Sequence, residues 1–352
     1  MSPKSFIALS VATAVGVAAA AFAVTRDRGF VPVAGAGEIV FPGLIDRVND
    51  VASMVVELPG GRLTVERGKN GWMVKENDDY PARTVKVRQV ILALADLKLV
   101  EPKTRNKDKF AKLELQDPEV KGASSKRVKL FDGAGKPMAD VILGRRRQTL
   151  PGTTMGGVYL RRPGDDQTWL AAGGPEVADE RRDWLERKIV DVDGGRVRKV
   201  IIRHPDGETL TISKPNPEAK DFVLDNIPEG KKLISQPGVN YVGDGLRDLL
   251  LDDVKKSSDS FDAQATVTAD IVTFDGLAVQ VLVSKRDGKH WIRLDASAAD
   301  PQGKNKDGKP IADEAKEIIA RASGWTYQIS DYAASNLNKR FHNLVEDKKS
   351  GS

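Results

Sequence analysis

The sequence predicts an α+β protein made of two copies of one unit, each an antiparallel sheet with helices packed on one face, after an N-terminal hydrophobic helix. Short strands of alternating apolar and polar residues are separated by turns rich in Gly, Pro and Asp, with amphipathic helices between them. The same order of elements then occurs a second time. Matched residues of the two copies lie 143 to 152 positions apart: Leu63 and Leu210, Trp72 and Phe222, Asp96 and Asp248, and Phe131 and Phe274.

The composition indicates a globular protein and excludes several kinds of site. The chain has 352 residues, of which 40% are hydrophobic and 30% charged, so it is long enough for two or three domains with cores of their own. The 55 basic and 50 acidic residues are interleaved, which argues against nucleic-acid binding. The absence of cysteine excludes disulfides, thiolate catalysis and cysteine-ligated metals.

Residues 1–28 are interpreted as a membrane anchor or signal segment. Residues 6–24 carry no charge and are close to the ~20 residues that cross a bilayer core. Ala21-Phe22-Ala23 also fits the cleavage site of a secretory signal, so a cleaved signal is the alternative to an uncleaved anchor. The length of the run favours the anchor. We therefore expect a single-pass protein of the cell inner membrane with the bulk of its chain in the periplasm.

A linker and a short helix are predicted over residues 29–50, and the first unit over residues 51–193. The unit begins with a meander of three short strands separated by Gly-containing turns. Apolar residues at helical spacing predict a helix from Thr84 to Leu99. Later in the unit, an Asp-Gly turn at Asp132 predicts a pair of strands, one on each side of the turn. A second helix, Asp179 to Ile189, is expected to close the unit.

The second unit is assigned to residues 194–347. It repeats the meander, a long helix after Pro237 and a strand pair around an Asp-Gly turn. Residues 297–324 are an insertion that the first unit lacks. A closing helix is predicted from Tyr332 to Val345, and residues 348–352 form a polar tail.

These segments resemble the domain-of-unknown-function family 4340 (DUF4340). The resemblance is carried by ERGKNGWMV, YPARTVKVRQVILALADLKLVEPKT, the FDGAGK turn, GVYLRRPG, DWLERKIVD and VRKVIIRHPDGETLTI, and it extends over most of the chain. It implies a bacterial envelope protein with an N-terminal hydrophobic segment. Genes of its relatives often lie beside those of ABC-type export systems similar to the gliding-motility transporters. The resemblance supplies no catalytic or binding residue.

The sequence predicts no catalytic, cofactor-binding or metal-binding residues. The only histidines are His204, His290 and His342, and no nucleophile elbow, zinc-binding helix or phosphate-binding glycine loop is present. The run from Gly303 to Glu314 resembles a calcium-binding loop, but its first position lacks an oxygen ligand and three lysines lie within it. A solvated turn is the better interpretation, and the protein is expected not to be an enzyme.

Clustered arginines are the one candidate contact site. Arg145, Arg146 and Arg147, and then Arg161 and Arg162, are predicted to lie at the ends or edges of neighbouring strands. They would then meet an anionic lipid, glycan or protein partner. The alternative is that they protect a sheet edge and aid solubility, as charged residues commonly do.

The leading functional hypothesis is a non-enzymatic accessory or binding component of an ABC-type export system, held at the cytoplasmic membrane by residues 6–24. One alternative is an envelope hydrolase of glycan or peptide, with carboxylates such as Asp165 or Asp252 in a cleft between the units. A soluble periplasmic binding protein is the other alternative, and it requires cleavage after Ala23.

Overall fold

The computed structural model describes residue 13, residues 15–17, 35–150, 156–257 and 261–348. Most of the predicted anchor, residues 6–24, and part of the linker lie outside these residues, as do 349–352 of the tail. Among the residues that are described, no helix has the length and apolar character needed to span a membrane.

The first half of the chain forms a nine-stranded sheet. Its strand order is β4-β3-β2-β1-β6-β7-β8-β9-β5, and every neighbouring pair is antiparallel. The predicted meander and the strand pair around the Asp-Gly turn are confirmed. The strands are β1 (Val51–Leu58), β2 (Gly61–Gly68), β3 (Gly71–Val74), β4 (Tyr80–Pro81), β5 (Lys98–Pro102), β6 (Lys126–Asp132), β7 (Pro137–Arg147), β8 (Gly157–Arg161) and β9 (Thr168–Ala172).

The second half forms an eight-stranded antiparallel sheet of order β13-β12-β11-β17-β18-β19-β20-β16. Two small pairs, β10 with β15 and β14 with β21, lie outside it. The strands are β10 (Lys188–Val190), β11 (Val197–Arg203), β12 (Thr209–Ser213), β13 (Val223–Leu224), β14 (Lys231–Leu233), β15 (Leu249–Leu250), β16 (Asp253–Lys256), β17 (Thr266–Thr273), β18 (Leu277–Arg286), β19 (Lys289–Ala298), β20 (Trp325–Ile329) and β21 (Val345–Asp347).

Eight strands of each sheet follow the same order. Strands β3, β2, β1, β6, β7, β8, β9 and β5 correspond one to one with β13, β12, β11, β17, β18, β19, β20 and β16. In each half a meander is followed by a helix, then by the strand at the far edge of the sheet, and then by a second meander. The described part of the chain is thus mostly antiparallel sheet with few helices, an α+β arrangement.

Among the described residues from 35 onward there are five α-helices: α1 (Thr84–Ala95), α2 (Phe110–Leu113), α3 (Gln236–Gly243), α4 (Ile311–Ala322) and α5 (Asp331–Leu337). Helix α1 buries Val87, Ile91 and Leu94 on one face, as the apolar spacing predicts. The prediction that it continues to Leu99 is wrong, because the chain becomes strand β5 at Lys98 and pairs with β9. Burial alternates there, with Leu97 and Leu99 inside and Lys98 exposed, which is the period of a strand.

The segment from Asp179 to Ile189, predicted as a helix, is mostly extended. It contains one 3₁₀ turn, Arg181–Trp184, and then strand β10. Backbone groups of the first half hold it open: Arg83 N–H donates to the Trp184 carbonyl at 2.8 Å, and Glu186 N–H donates to the Pro81 carbonyl at 3.0 Å. The predicted burial of Trp184 and Leu185 is confirmed, since both are fully buried. We call residues 181–190 the strap.

The second unit departs from its predicted helices as well. The long helix predicted after Pro237 is wrong: helix α3 begins at Gln236, contains Pro237 in its first turn and has eight residues. The closing helix predicted from Tyr332 to Val345 ends at Leu337, and a 3₁₀ turn and strand β21 follow it. Long-range bonds explain the break: Glu208 Oε1 accepts from Phe341 N–H at 2.6 Å, and β21 pairs with β14.

The two sheets share one hydrophobic core. A single cluster of buried side chains extends from the β1–β9 sheet through Trp184, Leu185 and Ile189 of the strap into the β11–β20 sheet. A smaller cluster of Phe110 and Leu115 packs against Ile142 on β7. Burial of this kind is the main source of stability in a domain, so the halves are expected to unfold together.

Side chains of the first half also cover the edge strand of the second sheet. Asn77 Nδ2 donates to the Val254 carbonyl at 2.9 Å and to Asp253 Oδ1 at 3.0 Å, and Lys256 N–H donates to Asp78 Oδ2 at 3.3 Å. Unpaired edge groups are thereby satisfied. Beside them the Tyr80 ring meets the Trp325 ring edge to face, with centroids 4.9 Å apart.

An ion-pair network holds the insertion, which contains α4, against the second sheet. Arg196, next to β11, donates to both carboxylate oxygens of Glu314 on α4, at 2.8 and 3.0 Å, and to Asp275 at 2.8 Å. The side chains are 14 to 18% exposed, so the charges are poorly hydrated and depend on one another.

The variant Glu314→Gln is expected to lower the free energy of unfolding by about 1–3 kcal/mol, because Arg196 then has one carboxylate fewer in a poorly hydrated site. Chemical denaturation measures the change. Glu317→Gln on the same helix is the control: its pair with Lys309 is exposed, and its loss should cost less than about 1 kcal/mol. Equal effects of the two variants would contradict the network's role.

The buried tyrosine between the sheets predicts a loss of stability at alkaline pH. Burial raises the pKa of Tyr80 to about 12, above the value of about 10 for an exposed tyrosine. The native state therefore keeps the proton while the unfolded state loses it, and the free energy of unfolding falls as the pH rises from 10 to 12. Tyr80→Phe should make that fall smaller by about 2–3 kcal/mol. Urea denaturation of both proteins at each pH measures this, and parallel curves would refute the assignment.

Candidate functional site

The five candidate arginines lie on β7, on β8 and just after β8, but they form two groups. Arg146 pairs with Val158 and Ile142 pairs with Arg161, so four residues of β7, about 13 Å, separate the groups. Arg145, Arg146 and Arg147 lie together at the end of β7. Arg161 and Arg162 lie at the other end of the same strand pair.

Arg161 is a structural side chain. Only 5% of it is exposed; its Nε donates to the Leu115 carbonyl at 2.6 Å, its Nη2 lies 2.8 Å from Asp117, and the guanidinium lies over the Phe110 ring. Its neighbour Arg162 donates to the Val40 carbonyl at 3.1 Å. Most of the donors of Arg161 are directed into the fold, so it offers little to an external partner.

The three arginines at the end of β7 differ in how many hydrogen bonds their guanidinium groups make within the protein. Arg145 donates to the Lys112 carbonyl, and Arg146 donates to the carbonyls of Gly174 and Pro175 at 3.0 and 2.6 Å. The side chain of Arg147 is exposed and makes no hydrogen bond or ion pair with the described residues. Of the three, Arg147 is the one whose guanidinium has no partner within the part of the chain that the structure describes.

A cavity of about 730 Å³ opens beside these arginines. Its charges balance, so the cavity as a whole attracts neither sign strongly. The five basic residues in its wall are Arg83, Lys86, Lys126, Arg145 and Arg146, and the five acidic ones are Glu114, Glu176, Asp179, Glu180 and Asp183.

A second cavity, of about 610 Å³, lies between the two sheets and contains the carboxylates that a hydrolase would need. Asp252 in its wall lies 3.4 Å from Arg182 and 3.6 Å from Arg187, both on the strap. Asp253 Oδ1 accepts from Asn77 Nδ2. Asp165, the other predicted carboxylate, lies outside this cleft and accepts from Gln167 N–H in a local turn. The other two acids of the wall, Asp179 and Glu180, pair with Lys126 and Arg182, so all four carboxylates of the cleft are engaged by the protein itself.

Structural roles also account for two histidines and the calcium-like loop. His204 bonds to the Lys339 carbonyl at 3.1 Å, and His290 lies 3.0 Å from Asp331. Glu314, the last position of the loop, is bound to Arg196, and Asn305 Oδ1 accepts from backbone N–H groups of the turn. Within the described residues no group of three or more His, Asp or Glu is placed to hold a metal ion.

Sequence reasoning missed a third cavity, which is lined by Tyr241 on α3, Tyr332 and Asn336 on α5, and Arg187 on the strap. The two tyrosines are the feature that indicates this cavity. Each tyrosine lies away from the buried face of a short helix and is 50 to 65% exposed, an unusual position for a large aromatic ring.

The comparisons with known proteins identify a family. A family model described as Domain of unknown function (DUF4340) matches residues 72–298, which include most strands of both sheets. The family resemblance drawn from the sequence is thereby confirmed. No curated protein and no solved structure matches the chain.

Because Arg161 and Arg147 differ in their contacts with the rest of the protein, replacing them by alanine should lower the free energy of unfolding by different amounts. Arg161→Ala should lower the free energy of unfolding by about 2–4 kcal/mol, because it leaves the Leu115 carbonyl unpaired and a void over Phe110. Arg147→Ala should change it by less than about 0.5 kcal/mol. Urea denaturation of the two variants decides, and a large loss in Arg147→Ala would show that this side chain is also structural.

Proposed function

The chain belongs to the DUF4340 family, and from that premise we propose that it is a non-enzymatic accessory or binding component of an ABC-type export system. Residues 6–24 tether it to the cytoplasmic membrane as a single pass, and the bulk of the chain lies in the periplasm. The apolar run of the sequence and the family resemblance support this location and partner.

The proposal that the protein is not an enzyme is supported by the pairing of charges in the inter-sheet cleft. A general acid and base need carboxylates that are free to exchange a proton with a substrate. Asp252 instead lies between Arg182 and Arg187, and Asp253 accepts from Asn77. Such pairing stabilises the cleft as a rigid wall, which suits a module that binds or positions a partner.

The two sheets are proposed to descend from one duplicated unit. The support is the common order of eight strands, together with the matched residues at a nearly constant spacing in the sequence. The units then correspond to residues 51–193 and 194–347. Their shared core makes one rigid body that projects a fixed surface toward a partner.

The proposed contact surface is the end of β7, with Arg147 at its centre and Arg145 and Arg146 beside it. Arg147 is exposed and unpaired among the described residues, so an anionic group on a transporter subunit finds its five donors unoccupied. The cavity beside it supplies the acids that would discriminate among partners.

Crosslinking in the producing cells, followed by detergent purification and mass spectrometry, tests the proposal. We expect the protein in the membrane fraction, with transporter subunits in stoichiometric amounts. Removal of residues 1–28 should leave the rest of the chain out of that fraction. Arg147→Glu should reduce recovery of the subunits about tenfold, since it reverses the charge at the contact. The control Lys316→Glu changes an exposed lysine on α4 and should leave recovery unchanged.

The possible results separate the parts of the proposal. Recovery of the protein alone from the membrane fraction would refute the accessory role and leave the tether standing. A mature N-terminus after Ala23 would refute the tether and favour the soluble binding protein. Equal loss in the Arg147 and Lys316 variants would refute the contact surface alone.

A further inference from the structure

The third cavity, of about 430 Å³, lies between helix α3, helix α5 and the strap. Two tyrosines at its mouth form an aromatic corner. The rings of Tyr241 and Tyr332 meet edge to face, with centroids 6.5 Å apart and planes at 70°. They are 50 and 65% exposed, so together they offer apolar ring surface to a ligand rather than to the core.

Asn336 supplies an unmet hydrogen-bonding group in the same cavity. It lies on α5, is only 7% exposed and lines the cavity wall. Its side-chain amide makes no hydrogen bond with the described residues. The amide atoms themselves are not sealed from solvent, since they are not among the buried side-chain atoms that lack a partner. They open on the cavity, where water satisfies them in the free protein and the hydroxyls of a ligand can replace that water.

The charges of the cavity select against anions and favour a neutral, hydroxyl-rich ligand. Arg187 and Arg247 face three carboxylates, those of Asp244, Asp248 and Asp252, which leaves one negative charge in excess. Most of these charges are paired with one another or with neighbouring residues: Arg187 with Asp252, and Arg247 with Asp244 and Asp193. An anion would be repelled, and a purely apolar ligand would displace the water bound to the remaining donors and acceptors of these groups without replacing its hydrogen bonds.

We propose that this cavity is a glycan-binding site, in which Tyr241 and Tyr332 pack against the C–H face of a neutral sugar and Asn336 bonds to its hydroxyls. A pyranose ring has an apolar face and a rim of hydroxyls that both donate and accept. The amide, the carboxylates and the guanidiniums of the cavity match that rim, and the aromatic corner matches the face. The proposal depends on neither the membrane tether nor a transporter.

Isothermal titration calorimetry of the purified full-length protein tests it. The probes are the tetrasaccharides of N-acetylglucosamine, β-1,4-linked glucose and α-1,4-linked glucose, with a proline decapeptide and choline chloride as rival ligands. At least one tetrasaccharide should bind with a Kd below about 1 mM, and neither rival should. Tyr241→Ala and Tyr332→Ala should each weaken binding about tenfold, as truncation of an aromatic contact residue does.

Three further variants distinguish a binding role from a structural one. Tyr332→Phe keeps the ring and should retain affinity within about twofold. Leu92→Ala, an exposed apolar residue on α1, is a distant control with no expected effect. Asn336→Ala should weaken sugar binding while leaving the free energy of unfolding unchanged or higher, since its amide has no partner to lose.

The proposal is overturned by any of three results. None of the tetrasaccharides binds the intact protein with a Kd below about 1 mM. A tetrasaccharide binds but keeps its affinity when both tyrosines are alanine. The proline peptide or choline binds at the tyrosines while the sugars do not, which would assign the aromatic corner to a peptide or to a cation.

Discussion

The strap, residues 181–190, is the connection on which the rest of the structure depends. Its backbone is bonded toward both halves: Arg83 N–H donates to the Trp184 carbonyl at 2.8 Å, and Leu251 N–H donates to the Arg187 carbonyl at 2.9 Å. Strand β10 within it pairs with β15. Trp184 and Leu185 are fully buried between these bonds and join the two sheets into one core. A flexible linker would leave each sheet to bury its own face, whereas the strap fixes their relation by hydrogen bonds and burial together.

The same segment contributes side chains to the walls of all three cavities, since its Asp183 also lines the one beside the β7 arginines. Arg182 belongs to the inter-sheet cleft and Arg187 to the cavity with the tyrosines, and both approach Asp252, which lines the two cavities. The carboxylate thus lies between two guanidiniums supplied by one short segment. Because the strap is anchored on both sides, these arginines keep their positions without help from a ligand, which is the condition for a preformed binding surface.

The sequence predicts what local periodicity determines and misses what distant partners determine. The strand pair around Asp132 and the start of α1 at Thr84 follow from spacing and turn chemistry alone, and the structure has both. The helix predicted from Asp179 to Ile189, with Trp184 and Leu185 as core anchors, does not form, because backbone groups at Pro81 and Arg83 hold this segment extended. The closing helix fails in the same way, since Glu208, more than a hundred residues away in sequence, binds the Phe341 N–H. No single-sequence pattern contains those partners.

Candidate sites follow the same logic, because a charged residue is informative only after its partners are known. Arg161 and Arg147 are equivalent in the sequence as members of arginine clusters, yet Arg161 directs its guanidinium into the fold, whereas that of Arg147 has no partner among the described residues. Asn336 attracts no notice in the sequence, although it lines a cavity beside two exposed rings and its amide makes no hydrogen bond with the described residues. A hydrogen-bonding group that the fold has already satisfied gains little from a ligand, while one that the fold leaves unsatisfied gains the most. Hydrogen-bond donors and acceptors that have no partner within the protein, rather than clusters of charge, therefore indicate which surfaces of this protein are open to binding.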